Sequence, residues 1–127
     1  MFRDHAGNCK IILSHAGGTL PYLIDRVAGM MPFAPASFHS GKGRDEMLKD
    51  WRALYYNTAL SSSPMHLKAL VALLGDEAKD HILYGTDFPN ALGKAMEDSI
   101  QHLEEQSDVD VAALRENGLK LFSRSRS

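Results

Sequence analysis

Three short apolar runs, each followed by a helix-like pattern, constrain the fold more than any other feature of the sequence. The runs lie within residues 10–14, 53–59 and 81–84. The first and third are continuously apolar at their centres, as expected of parallel strands that are covered on both faces. The second is rich in tyrosine, which favours strands. Strands that alternate with helices predict an α/β domain in which right-handed crossovers join parallel strands.

The helices are marked by apolar residues at helical spacing and by capping residues. Thr19 is the expected N-cap of a helix that Gly29 ends, and Ser63 and Pro64 open a second helix that stops at Gly75. The expected core positions of these two helices are Leu20, Leu23, Ile24, Val27, Leu67, Leu70, Val71 and Leu74. Further helices are expected over residues 45–52, 94–106 and about 107–122.

Composition excludes several kinds of partner. The chain has 127 residues, which predicts a single domain, and a net charge of only −2, which favours neither nucleic acid nor an acidic membrane surface. A small-molecule partner is therefore expected. The single cysteine, Cys9, allows no internal disulfide and is expected to be a small buried hydrophobe. Because no apolar run approaches about 18 residues and no signal segment is visible, we expect a soluble, cytoplasmic protein.

A histidine and an aspartate stand just after two of the predicted strands. His15 follows the first strand, and Asp87 follows the third, in "GTDFP". The carboxyl ends of parallel strands meet at one edge, where ligands bind, so we expect the two side chains to share a site. Such a pair can bind a divalent metal, or the carboxylate can hold the metal while the histidine transfers protons. Gly17 and Gly18 would allow a tight turn beside an anion.

Each of these residues also has a purely structural explanation. A histidine at a strand end is often a hydrogen-bonded structural residue, a Gly-Gly pair is often only a turn, and Asp87 can serve as a turn or cap residue. The six histidines contain no H-x-H or H-E-x-x-H pair. Arg26, in the first helix, can be a surface arginine or a guanidinium that binds a carboxylate in this site or in a neighbouring subunit.

Four segments resemble, in the same order, the carboxyl-terminal part of the amidohydrolase-related metalloenzymes. They are "KIILSHAGGTLPYLIDR", "LYYNTALSSSP", "HILYGTDFPNA" and "ENGLKLF". The family includes aminocarboxymuconate-semialdehyde decarboxylase and the hydroxybenzoate decarboxylases, and the motifs look closest to the 6-methylsalicylate decarboxylases of fungal polyketide pathways. The resemblance implies that residues 1–127 are the carboxyl-terminal part of a (β/α)8 TIM barrel, its last three βα units, and thus an incomplete barrel.

The resemblance also implies roles for individual residues. His15 matches the histidine beside the metal-bound water, which donates and accepts a proton during decarboxylation. Asp87 matches the metal-ligating aspartate after the last strand. Arg26 matches an arginine that, in one branch of the decarboxylases, reaches the substrate carboxylate across a dimer interface. The implied cofactor is a divalent metal, zinc or manganese.

The chain departs from the family pattern in two respects. The first-strand H-x-H pair and the metal histidine of a middle strand have no counterpart here, and Asn57 stands where relatives often carry aspartate. Two side chains do not complete a catalytic zinc site, which needs about three protein ligands and a water. Turnover by this polypeptide alone is therefore not expected.

Three functions stay open from the sequence. The first is part of a metal-dependent decarboxylase, a carboxy-lyase that acts on a salicylate-type aromatic carboxylic acid. The second is a metal-dependent hydrolase of the same family, with Asp87 as base. The third is a non-catalytic truncated barrel that associates with itself or with a full-length barrel. Association is expected because three strands of an open barrel leave two unpaired edges and an exposed apolar face.

Overall fold

The computed structural model describes residues 9–35, 37–38, 41–106 and 109–123. Three strands form one parallel sheet in the order β1-β2-β3, with bounds Ile12–Leu13, Tyr55–Asn57 and Ile82–Leu83. The predicted α/β architecture with parallel strands is therefore confirmed. Each strand is shorter than the apolar run that predicted it.

The helices follow the strands as expected. In chain order they are α1 (Leu20–Met30), α2 (Arg44–Arg52), α3 (Pro64–Leu74), α4 (Ala78–His81), α5 (Gly93–Glu104) and α6 (Val111–Ser123). Ser63 caps α3 as predicted, because its Oγ accepts a hydrogen bond from the backbone N–H of His66. Gly29 does not end α1, since a helix tolerates an interior glycine at a cost of about 1 kcal/mol. No described helix is long and apolar enough to cross a bilayer.

The core lies between the sheet and the helices, around Tyr56. This side chain is fully buried, and its Oη donates a hydrogen bond to the carbonyl oxygen of Trp51 at 2.8 Å. Burial raises the pKa of the Tyr56 hydroxyl to about 12, because the charged form would lose its hydration. Leu70, Leu74 and Leu103 are also among the large apolar side chains with almost no exposure.

Four positions that we expected in the core are exposed. Leu23, Val27 and Val71 are exposed over 40%, 45% and 45% of their surface. Ile24 is buried as expected, and the helices also turn inward two residues that were not expected there, Ala28 from α1 and Leu73 from α3. Cys9 is also exposed, because it precedes the paired part of β1.

The outer edge of β3 is covered by α6. Because Leu83 pairs with β2, the backbone polar groups of Ile82 and Tyr84 point to the opposite side. There the Nδ2 of Asn117 donates to the carbonyl of Ile82 at 3.0 Å, and the N–H of Tyr84 donates to the carbonyl of Leu114 at 3.3 Å. Among the described strands β1 and β3 are both edge strands, as expected, but α6 bonds two of the polar groups on the outer side of β3.

Candidate functional site

The carboxyl-terminal edge of the sheet gathers the segments that follow all three strands. β1 and β3 are both parallel to β2, so the chain leaves every strand at the same edge. His15 lies just beyond β1, Ala59 just beyond β2, and Asp87 beyond β3. His15 and Asp87 therefore lie at the same edge of the sheet, after its two outer strands, with the segment after β2 between them.

The imidazole of His15 is exposed but is held in a defined orientation. Its Nδ1 lies 2.9 Å from the carbonyl oxygen of Ala59. Because a carbonyl only accepts, Nδ1 carries the proton of the neutral ring, and the lone pair is on Nε2. No described residue binds Nε2. A histidine with one nitrogen fixed by the backbone and the other free is suited to proton transfer or to metal binding.

The turn that carries His15 is left-handed. The φ angles of His15, Ala16, Gly17 and Gly18 are 54°, 53°, 78° and 61°. A left-handed conformation costs about 1–2 kcal/mol for each residue that has a Cβ, so His15 and Ala16 are strained. The turn rests on the ring of Tyr56, because a Cβ at position 17 would lie 2.9 Å from Cε1 of that ring. The predicted glycine turn is confirmed, and it also includes two residues that are not glycine.

The side chains of Asn57 and Thr58 hydrogen-bond the segments that follow the three strands to one another. Oδ1 of Asn57 accepts hydrogen bonds from the backbone N–H groups of His15, at 3.1 Å, and Ala59, at 3.2 Å. Thr58 is buried, and its Oγ1 accepts a hydrogen bond from the N–H of Gly85 at 3.2 Å. The segment after β2 thus connects the ends of β1 and β3.

Asp87 has a structural role in the turn after β3. Its φ is 66°, and its backbone carbonyl accepts hydrogen bonds from the N–H groups of Asn90, at 2.8 Å, and Ala91, at 3.1 Å. Its partly buried carboxylate forms no hydrogen bond or ion pair with the described residues. The main chain therefore serves the turn, while the carboxylate is available for another function.

Arg26 lies on the outer face of α1, and no described hydrogen bond or ion pair joins it to His15 or Asp87. Tyr22 and Met30, one helical turn before and after it, are 85% and 59% exposed. The structure therefore places Arg26 in an exposed apolar surface rather than within the hydrogen-bonded network of the strand ends.

The described residues do not complete a metal site. Within 9–35, 37–38, 41–106 and 109–123, no group of three or more histidine, cysteine, aspartate or glutamate residues could hold a metal ion. His15 and Asp87 supply an imidazole and a carboxylate, which are suitable ligand types but too few for a catalytic site. Any metal bound at this edge needs further ligands from outside these residues.

Sequence comparison relates the chain to fungal decarboxylases. No family model matches it. 6-Methylsalicylic acid decarboxylase acuB of Aspergillus aculeatus is 44% identical over 128 residues, which cover 96% of this chain and 38% of that protein. A 6-methylsalicylic acid decarboxylase of Penicillium expansum is 50% identical over 91 residues, covering 72% of this chain and 26% of that protein.

Solved structures show the same relationship at the level of the fold. 2,6-Dihydroxybenzoate decarboxylase from Rhizobium matches with a TM-score of 0.72 at 21% identity, over 98% of this chain and 37% of that one. Dihydroxybenzoic acid decarboxylase from Polaromonas sp. JS666, with bound manganese, matches with a TM-score of 0.70 at 21% identity, over 99% of this chain and 37% of that one.

The solved structures that the chain resembles are metal-dependent decarboxylases of the amidohydrolase TIM-barrel fold, and the three parallel strands and helices of this chain correspond to about 37% of each. The chain is homologous, over nearly its whole length, to part of the 6-methylsalicylic acid decarboxylases. The resemblance seen in its motifs is confirmed. The chain spans little more than a third of the length of the first of these relatives.

Proposed function

We propose that the chain forms the carboxyl-terminal part of a metal-dependent decarboxylase acting on a salicylate-type aromatic carboxylic acid. In this proposal β1, β2 and β3 are the last three strands of an eight-stranded barrel. The observation that carries it is the His15 imidazole, fixed through Nδ1 at the carboxyl edge of a parallel sheet, in a chain 44% identical to a 6-methylsalicylic acid decarboxylase.

His15 is the proton donor in the proposed reaction. In its protonated form it gives the Nε2 proton to the ring carbon that bears the carboxylate. The bond between that carbon and the carboxylate then breaks, its electron pair returns to the ring, and carbon dioxide leaves. The hydrogen bond from Nδ1 to Ala59 supports this role, because it leaves Nε2 as the nitrogen that loses and regains the proton.

Asp87 is the metal ligand that this chain contributes, and the metal is a divalent ion, manganese or zinc. Its carboxylate, without a partner among the described residues, supports this assignment. A bound divalent ion supplies positive charge to the oxygen atoms of an anionic substrate. Manganese is bound in the decarboxylase from Polaromonas and in a 5-carboxyvanillate decarboxylase from Novosphingobium aromaticivorans. The remaining ligands come from outside the described residues.

Arg26 binds the substrate carboxylate of a second copy of the chain, across an interface made by the outer face of α1. Three large apolar side chains in α1 or just after it, Tyr22, Met30 and Phe33, are 85%, 59% and 89% exposed. Exposed apolar side chains together with an arginine are typical of protein interfaces.

Sedimentation velocity tests this association. We expect the chain to sediment as a dimer and Tyr22→Ser to weaken the dimer by about 10-fold or more, the effect of removing an aromatic anchor. Met65→Ser, a change at another exposed position on α3 (75% exposed), is the matched control and should leave the dimer intact. A monomeric chain, or equal weakening by both variants, would contradict the interface.

The proposed activity is tested by reassembly. This chain is co-expressed, with manganese, with the part of the Aspergillus aculeatus decarboxylase that precedes its matching region. We expect release of carbon dioxide and 3-methylphenol from 6-methylsalicylic acid only when both polypeptides are present. The relative's own matching region, supplied as a separate polypeptide, is the positive control. If that region restores decarboxylation and this chain does not, the proposed function is wrong.

A further inference from the structure

The side chain of Asn57 contacts the ends of all three strands. Its Oδ1 accepts the backbone N–H of His15, after β1, and the backbone N–H of Ala59, after β2. Its Cβ and Cγ face Gly85, after β3, where an added Cβ would lie 3.1 Å from both atoms. Asn57 therefore lies between the segments that follow the three strands, although nothing in its own chemistry suits it to proton transfer.

One amide oxygen contacts His15 and also the residue that binds its ring. Oδ1 of Asn57 binds the N–H of His15 directly, and it also binds the N–H of Ala59, whose carbonyl accepts the His15 ring Nδ1. The anchored residue stands in a left-handed turn, in which a residue with a Cβ stays only when its surroundings hold it. Loss of this oxygen would release the main chain of His15 and loosen the partner of its ring.

We propose that Asn57 is a positioning residue whose Oδ1 sets the orientation and the tautomer of the His15 imidazole. Its significance for catalysis rests on the proposed function, in which His15 transfers the proton. For this role, the side chain at position 57 must carry an oxygen that accepts hydrogen bonds from two N–H groups, those of His15 and Ala59. Aspartate has the same shape and keeps that acceptor, whereas alanine and leucine lack it.

The tautomer of His15 can be measured in the chain itself, without substrate or metal. Long-range ¹H–¹⁵N spectra at about pH 8, above the ordinary histidine pKa of about 6.5, report which ring nitrogen carries the proton. His15→Gln identifies the His15 signals. We expect the Nδ1–H tautomer in the wild type and in Asn57→Asp. In Asn57→Ala we expect the Nε2–H tautomer, which a free imidazole favours, and at least about 10-fold faster exchange of the His15 amide hydrogen.

Asn117→Ala is the matched control. Like Asn57→Ala, it removes a side-chain amide that is hydrogen-bonded to the backbone. The partners of Asn117 are the carbonyls of Lys79 and Ile82, at the amino-terminal end of β3 and away from His15. We expect it to lower stability without changing the tautomer of His15. Asn57→Leu, which keeps the side-chain volume, replaces Asn57→Ala if the alanine variant does not fold.

The positioning role is overturned if His15 keeps the Nδ1–H tautomer without the Asn57 acceptor, if Asn57→Asp behaves like Asn57→Ala, or if Asn117→Ala has the same effect. These measurements are independent of turnover. Failure of reassembly together with the expected tautomer change would reject the decarboxylase and retain the positioning role. Decarboxylation without the tautomer change would retain the decarboxylase and reject the positioning role.

Discussion

His15→Gln is expected to lower decarboxylation by the reassembled enzyme by about 10²- to 10⁴-fold, the loss that follows removal of a general acid–base residue. Glutamine retains an N–H that can bond to the carbonyl of Ala59, but it has no group that gives up a proton near neutral pH. Initial rates of 3-methylphenol formation over a range of substrate concentrations separate the two kinetic constants. We expect kcat to fall and KM to change little, because His15 is proposed to act in the transition state.

His102→Gln is the control for this experiment, since His102 is an exposed residue of α5 and the substitution is the same. We expect it to retain activity within about twofold of the wild type. Circular dichroism of both variants establishes that the fold is intact. A His15→Gln enzyme that keeps more than about a tenth of the wild-type kcat would exclude His15 as the proton donor.

Two identical substitutions, Gly17→Ala and Gly29→Ala, are expected to change stability in opposite directions. Gly17 has a φ of 78°, and its added Cβ would lie 2.9 Å from the ring of Tyr56, which is fully buried. The left-handed conformation costs about 1–2 kcal/mol and the overpacking about 1–3 kcal/mol, so we expect Gly17→Ala to lower the free energy of unfolding by about 2–4 kcal/mol. This is a large part of the stability of a small domain.

Gly29 lies inside α1, and an added Cβ would meet no atom within 4 Å. Alanine is the better helix former, so Gly29→Ala should raise the free energy of unfolding by about 0.5–1 kcal/mol. Urea denaturation followed by the fluorescence of Trp51, the single tryptophan, measures both changes. A loss below about 1 kcal/mol for Gly17→Ala would show that the turn is not held against Tyr56 as described.

The sequence predicts where strands and helices lie because apolar runs, caps and glycines are local signals. The alternation of strands with helices then predicts that the strands are parallel. The sequence does not predict which side of a helix is buried when apolar residues surround most of it. In α1 the core side is decided by Ala28, which is fully buried, rather than by the larger Val27 beside it. In α3 Leu73 is buried and Val71 is exposed. These choices depend on packing against the sheet, which a pattern in one helix does not contain.

The same limit applies to the site. His15 is predictable because it follows a buried strand, and ligands of parallel α/β folds bind at the carboxyl ends of the strands. The partner of its ring is not, because the carbonyl of Ala59 is a backbone group that any residue would supply. The left-handed turn is predicted at its two glycines but not at His15 and Ala16, because side chains with a Cβ rarely adopt it. Whether Asp87 acts as a turn residue or as a ligand is undecided by sequence, and its backbone and carboxylate allow both roles.

Closure of an eight-stranded barrel would require α6 to withdraw from the outer side of β3. In a closed barrel the last strand pairs with the first, but here the carbonyl of Ile82 and the N–H of Tyr84 are bonded to Asn117 and Leu114. The first strand would have to take over these two backbone groups from α6. On the other side of the sheet, where no described strand lies beside β1, a neighbouring strand could be added without displacing a helix.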